Sequence, residues 1–253
     1  MNKDTVRQIL VLIAVIAVIA VNFLAVSLPL NDLDTGEISD RFEVYFVPAG
    51  YVFSIWSLIY LGLIAFGIFQ VLPAQKENPR LRSIGYLFVL SSLANITWLF
   101  LWHYEVFLFT PVAMLTLLIS LIAIYLRLDV GRAEVSTAEK WSVHIPFSIY
   151  LGWISVATIA NITQWLYYLG WSGWGIPPEV WAVIMLAAGV VISTLMSLTR
   201  GDVAYSLVLV WAYIGIAVKQ AGTPLVAYSA LIGVGLILVM LVIGVLRKRQ
   251  SQN

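Results

Sequence analysis

The sequence lacks cysteine and has few ionisable side chains. None of its 253 residues is a cysteine, 2 are histidines, and charged residues make up 11% of the chain. Without thiols the chain can form neither a disulfide framework nor a thiolate metal site. The net charge of +1 leaves no basic face of the kind that binds phosphates. We therefore expect no metal and no nucleic acid partner.

Apolar residues, by contrast, dominate the chain. At 61% hydrophobic content, a soluble globule could not keep its apolar side chains away from water. Runs of about 20 apolar residues, the length of a helix that crosses a bilayer, follow one another. The sequence predicts an all-α integral membrane protein in contact with the lipid bilayer, a bundle of about eight transmembrane helices at residues 7–30, 48–72, 84–103, 106–126, 142–169, 179–199, 203–220 and 225–246.

The positions of basic residues predict the orientation of this bundle. Every Lys and Arg except Arg41 and Lys219 lies before span 1, after span 8, or between spans 2 and 3, 4 and 5, or 6 and 7. These segments share one side of an even-numbered bundle, and cytoplasmic segments collect Lys and Arg. We expect both termini to be cytoplasmic, in a bacterial cytoplasmic membrane. The opposite side carries one sizeable loop, residues 31–46, which is acidic apart from Arg41.

Motifs for chemistry are absent from the sequence. It shows no Ser-His-Asp arrangement, no paired carboxylates within a span and no phosphate-binding loop. We therefore predict no catalytic residues. The sequence lacks the groups that a hydrolase, a proton-coupled transporter or a nucleotide-driven pump normally uses. A facilitator, which needs no such groups, stays open.

Aromatic residues are abundant, with 10 Trp, 12 Tyr and 11 Phe. Trp141, Trp171, Trp174 and Trp181 flank the ends of spans, where a belt of aromatic residues is expected at the membrane interface. Other aromatic residues lie within spans at intervals of three or four, which places them on one face of a helix.

Three spans carry such a stripe of aromatic and polar residues: Phe53, Trp56 and Tyr60; Asn95, Trp98 and Trp102; and Trp153, Ala157 and Asn161. Aromatic and asparagine side chains fill and link the cores of membrane bundles. The same groups also suit the wall of a cavity for a planar apolar ligand. Spacing alone does not choose between these interpretations.

Three motifs resemble the tryptophan-rich sensory protein (translocator protein) family. The segment Pro48–Tyr60, PAGYVFSIWSLIY, is similar to the signature of the family's second helix. LANITW, which ends at Trp98, resembles the motif of its third helix, and the segment Tyr150–Asn161 resembles that of its fifth. The motifs occur in the family's order, so the first five spans resemble the family's five-helix bundle.

The chain also departs from the family pattern. Ala49 replaces the second proline of the second-helix signature, and Trp56 follows Phe53 one residue too soon. Ile149 occupies the position of a family proline, while Pro146 precedes it. The family has five helices, so we predict a five-helix membrane bundle at residues 1–170 and three additional transmembrane helices at 171–253.

The resemblance implies a cavity beneath the loop 31–46 that binds a planar hydrophobic ligand such as a tetrapyrrole (porphyrin), often in a homodimer, with no other cofactor required. The loop would form the lid, and its Arg41 alone could pair with a porphyrin propionate. Carried over by position, the ligand-binding wall consists of Tyr51, Phe53, Trp56, Tyr60, Asn95, Trp98, Tyr150, Trp153 and Asn161.

The leading hypothesis is therefore a membrane receptor or binding protein for such a ligand, with a sensory or ligand-transport role. The alternative is a small-molecule permease or facilitator that uses all eight helices. A third hypothesis, an enzyme that degrades its bound porphyrin, comes from the resemblance alone.

Overall fold

A computed structural model describes residues 2–27 and 30–250, and within these ranges it contains helices and no strand. Eight long apolar helices follow one another along the chain, and two short helices, α2 (Thr35–Asp40) and α6 (Thr137–Glu139), lie in the connections. The long helices are α1 (Lys3–Ser27), α3 (Ile55–Val71), α4 (Pro79–His103), α5 (Thr110–Arg127), α7 (Ile145–Tyr168), α8 (Pro178–Arg200), α9 (Val203–Lys219) and α10 (Pro224–Gln250).

The predicted helical membrane bundle is confirmed. Within the described ranges, seven helices are long and apolar enough to cross a membrane, and α9, with 17 residues, is the shorter eighth. Several helices extend beyond the predicted spans, for example α1 from Lys3 and α10 to Gln250, because their polar ends continue as helix where hydropathy has already fallen. α3 begins later than predicted, after a 3-10 turn at Gly50–Ser54.

The helices pack around one core. α1 contacts α3 and α4, α4 contacts α5, α5 contacts α7, and α7 contacts α9, which packs with α8 and α10. A continuous cluster of buried hydrophobic residues runs from Val11 in α1 to Ile237 in α10. The core therefore includes residues from both sides of residue 170, where we divide the chain; the division itself stays a prediction.

Only two residues join α8 to α9. Gly201, with φ of 59°, takes the left-handed conformation that ends α8. The buried carboxylate of Asp202 caps α9 by accepting a hydrogen bond from the backbone N–H of Tyr205. It also accepts hydrogen bonds from the hydroxyls of Tyr125 and Ser148, so that it ties α9 to α5 and α7. This buried charge is satisfied by hydrogen-bond donors on three helices.

The basic connections meet at one end of the bundle. Arg80 makes a bidentate pair with Glu139 at 2.6 and 2.8 Å, and Arg82 makes one with Asp4. Arg200 pairs with Asp129. The loop 31–46 lies at the other end, which we call the lid end. The structure thus groups the basic residues as predicted, while the assignment of this group to the cytoplasm stays a prediction.

Candidate functional site

The short helix α2 forms a lid over the bundle. It begins at a capping box, in which Asp34 and Glu37 each accept a hydrogen bond from the other's backbone N–H. Its apolar side chain Ile38 is fully buried with Trp102 and Phe107. This small hydrophobic cluster holds α2 against the ends of α4 and α5.

Polar contacts also fasten the lid. The indole N–H of Trp102 donates to the carbonyl of Thr35 at 3.2 Å, and the amide of Gln164 donates to the hydroxyl of Ser39 at 2.8 Å. The ring of His103 is buried and lies 3.1 Å from the Thr35 hydroxyl. His103 is the last residue of α4, so its ring joins the end of this helix to α2.

Beneath the lid lies a cavity of about 50 Å³ walled by α3, α4, α5 and α7. Thr35 and Ser39 of α2 close its upper side, and Met114 and Leu117 of α5 lie in its wall. Six of the nine residues assigned to the ligand line it: Phe53, Trp56, Asn95, Trp98, Trp153 and Asn161. The three sequence stripes thus converge on one space.

The aromatic rings of the wall contact each other edge to face. The ring of Trp153 lies 5.6 Å from that of Phe53 and 6.4 Å from that of Trp56, at interplanar angles near perpendicular. Trp98 stacks on Trp102 at 5.5 Å, which continues the wall towards the lid. Such pairs contribute about 0.5–1.5 kcal/mol beyond the area that they bury.

The three assigned tyrosines lie outside this lining. Tyr60 stacks on Trp56 at 5.6 Å, and buried Tyr150 contacts the Trp56 ring edge to face at 6.0 Å. Tyr51 points elsewhere: its ring is 46% exposed and packs against Trp211 of α9. The 3-10 turn at Gly50–Ser54 explains this, because three residues per turn rotate Tyr51 away from the face that an α-helix would give it.

Asparagines join the wall to neighbouring helices. The amide of Asn22 in α1 donates to the Oδ1 of Asn95 at 2.8 Å, and the amide of Asn95 donates to the hydroxyl of Tyr150 at 3.2 Å. Asn161 donates to the hydroxyl of Thr110 at 3.2 Å. These bonds fix the side chains of Asn95 and Asn161 at the cavity. Both asparagines therefore link neighbouring helices and line the cavity at the same time.

Three buried polar atoms of the lining have no hydrogen-bond partner among the described residues. They are the indole nitrogens of Trp98 and Trp153 and the Oδ1 of Asn161. An unpaired buried donor or acceptor costs about 1–3 kcal/mol, and native structures contain few of them. Two donors and one acceptor at one cavity can orient a bound molecule.

The two basic residues of the lid end each pair with an acidic residue. The Arg41 guanidinium donates to Glu105 at 2.6 Å, and Lys219 pairs with Asp40. Arg41 directly follows α2, and its guanidinium binds a carboxylate of the α4–α5 turn; its role in a lid stays a prediction. Within the described ranges no three His, Asp or Glu side chains form a cluster that could hold a metal ion.

Several lining residues were not assigned from the sequence. Trp102 belongs to a recognised stripe but was not placed in the wall, and Gln164 lies three residues after Asn161, which is helical spacing. Met114 and Leu117 come from α5, where no polar or aromatic stripe marks a face. Only the packing of α5 against α4 and α7 brings them to the cavity.

A second cavity, of about 480 Å³, lies on the other face of α7. Thr158, Ile162 and Leu166 line it, whereas Ala157, Asn161 and Gln164 face the lid cavity. α7 thus separates two cavities.

Comparison with known proteins identifies one family. The family model described as TSPO-like protein matches residues 8–243. The match reaches from α1 into α10, and so includes the three C-terminal helices that the sequence motifs do not cover. No curated protein and no solved structure matches the chain.

Proposed function

The chain belongs to the TSPO-like protein family, and from this premise we propose that it is a membrane receptor that binds a planar apolar ligand in the cavity beneath α2. The unpaired hydrogen-bonding atoms of Trp98, Trp153 and Asn161 carry this proposal. They lie in a wall of aromatic rings, which offers flat apolar contact to a planar molecule while the polar atoms orient it.

The lining favours a ligand without charge. None of its residues is Lys or Arg, and Arg41 is bound to Glu105. A free carboxylate of a ligand would enter this site without a cationic partner, which is costly in an apolar surrounding. We therefore expect a neutral tetrapyrrole, or another planar molecule with hydrogen-bond acceptors, to bind better than a dianionic porphyrin.

Binding of such a ligand requires the lid to move. Ligand cavities commonly measure about 300–1,000 Å³, and the present cavity measures about 50 Å³. α2 is held by the small buried cluster of Ile38, Trp102 and Phe107, by hydrogen bonds from Trp102 and Gln164, and by exposed ion pairs, which contribute little individually. We propose that α2 lifts to admit the ligand and closes over it.

Titration of the purified protein with protoporphyrin IX and with its dimethyl ester tests the proposal. Tryptophan quenching gives the dissociation constants, and we expect the ester, which lacks the two carboxylates, to bind at least as tightly as the free acid. If neither compound and no other planar apolar ligand binds saturably, the proposed site is refuted.

Trp153→Phe tests the role of the unpaired indole N–H. The substitution keeps an aromatic ring and removes the donor, so the dissociation constant of the ester should rise about fivefold to tenfold, the effect of one hydrogen bond of about 1–1.4 kcal/mol. Trp141→Phe is the matched control, because Trp141 is 64% exposed and lies outside the cavity lining. Equal affinity of the two variants would show that the N–H of Trp153 does not contact the ligand.

The permease formed by all eight helices stays a prediction. Solute uptake by reconstituted vesicles, compared with vesicles without protein, tests it.

A further inference from the structure

The second cavity has a rim of aromatic and acidic side chains. It lies between the lid-end half of α7, the segment 43–46 and the first turns of α8. Ile162 and Met185 contribute apolar surface to its lining, and Trp171, Trp181 and Glu43, which we call the rim, line it as well. Its volume of about 480 Å³ falls within the usual range for small-molecule sites.

The aromatic part of this rim is held in place by the loop between α7 and α8. The indole N–H of Trp181 donates to the carbonyl of Gly173 at 2.9 Å, and the ring of Trp171 lies 5.2 Å from that of Trp181 at an angle of 54°. Gly173 has φ of 66°, and a Cβ there would come within 3.2 Å of the Trp181 indole nitrogen. A larger residue at this position would press on the indole of Trp181 and strain the backbone.

The charge at the rim is negative. Glu43 makes no ion pair among the described residues, and no Lys or Arg lines the cavity. Tyr45 donates a hydrogen bond to Glu179 at 2.9 Å, which places a second carboxylate beside the cavity; this bond raises the pKa of Tyr45. The two basic residues of the lid end, Arg41 and Lys219, pair with other acids.

We propose that this cavity binds an organic ammonium ion with an apolar body. Indole faces attract cations, and quaternary ammonium groups bind between such rings. The ammonium would lie among Trp171, Trp181 and Glu43, with the apolar body against Ile162 and Met185. This chemistry is shared by free amphiphilic amines and by the choline headgroup of a lipid.

The site is independent of the proposed receptor cavity. The two cavities contact different faces of α7 and share no lining residue. Loss of planar-ligand binding in a Trp153 variant therefore says nothing about the ammonium site, and each proposal can fail alone.

Calorimetric titration of the full chain in dodecyl maltoside micelles tests the proposal. The probes are phenyltrimethylammonium and tert-butylbenzene, which have the same shape and differ in charge. We expect the cation to bind at least tenfold more tightly than the neutral compound. Equal affinities would overturn the proposal, because they would show a cavity that selects only for apolar surface.

Variants locate the binding. Glu43→Gln and Trp181→Leu should each weaken binding of phenyltrimethylammonium at least fivefold. Asp32→Asn is the matched control: it removes an acid of the same loop that does not line the cavity, at a positive φ of 60° that asparagine tolerates. If Asp32→Asn weakens binding as much as Glu43→Gln, the cation is attracted by the general charge of the lid end and the proposed site is wrong.

A free amine and a lipid headgroup are distinguished by measuring binding of phenyltrimethylammonium in nanodiscs of phosphatidylcholine and in nanodiscs of phosphatidylglycerol. In each membrane, the signal of the Glu43→Gln protein is subtracted as the background. Binding of the probe in both membranes identifies a free cation as the ligand. If the probe binds in phosphatidylglycerol but not in phosphatidylcholine, the choline headgroup competes with the probe and is the occupant. Absence of binding in micelles and in both membranes refutes the ammonium site.

Discussion

Gly244→Ala in α10 should destabilise the protein by about 1–3 kcal/mol or more, the usual cost of overpacking a close contact. A Cβ at this position would lie 2.2 Å from the carbonyl oxygen of Ser197 in α8, and backbone cannot turn aside as a flexible side chain can. α8 and α10 would have to separate at this contact, and α8 itself carries the buried small residues Gly189, Ser193 and Ser197 at intervals of four. Such intervals let membrane helices approach closely.

Gly235→Ala in the same helix is the matched control. A Cβ there meets nothing within 4 Å, so the substitution should be neutral or stabilise α10 by about 0.5–1 kcal/mol through the higher helix propensity of alanine. Unfolding of both variants in SDS, followed by circular dichroism, measures the difference. Equal stabilities would show that α8 and α10 do not pack as closely as the structure places them.

Replacing both Trp56 and Trp153 with alanine should weaken binding of the planar ligand at least 30-fold, or about 2 kcal/mol, as expected when central aromatic residues of a binding site are removed. The two rings contact each other, and that of Trp153 also contacts Phe53, so their loss opens the aromatic wall. Equilibrium titration with protoporphyrin dimethyl ester, read by ligand absorbance so that the missing tryptophans do not change the signal, measures the effect.

The double variant Trp141→Ala and Trp174→Ala controls for the loss of two tryptophans. These rings are 64% and 78% exposed and lie outside the cavity lining, so binding should be unchanged. Circular dichroism and thermal unfolding show whether the cavity variant remains folded, since removal of a buried Trp costs about 3–5 kcal/mol. A folded cavity variant with normal affinity would exclude this cavity as the ligand site.

The sequence predicts the long helices well because their signal is local. Eight apolar runs, separated by polar segments, predict eight long helices, and the structure has them. Some helices, such as α10, extend beyond the predicted span, since hydropathy ends before helical hydrogen bonding does, whereas α3 begins seven residues later than predicted, after a 3-10 turn. The placement of the basic residues at one end also follows from the sequence, because alternate connections of an antiparallel bundle share a side.

Part of the site is predictable for the same reason. Asn95 and Trp98 are one helical turn apart and must share a face, as must Trp153 and Asn161. Tyr51 shows the limit of this reasoning, because its rotation depends on a 3-10 turn whose hydrogen bonds the apolar pattern does not reveal. The unpaired nitrogen of Trp153 has no sequence signal at all.

By itself, then, the sequence determined the helices, their number, the faces of their aromatic stripes and the resemblance to a family. Tertiary structure alone decided that Asn22 bonds Asn95, that Arg41 binds Glu105, and that a second cavity lies on the other face of α7. The physical reason is the distance along the sequence over which the interactions act. Helix formation and hydropathy depend on residues within a few turns of each other, whereas a cavity depends on how helices distant in sequence pack and on which contacts they leave unfilled.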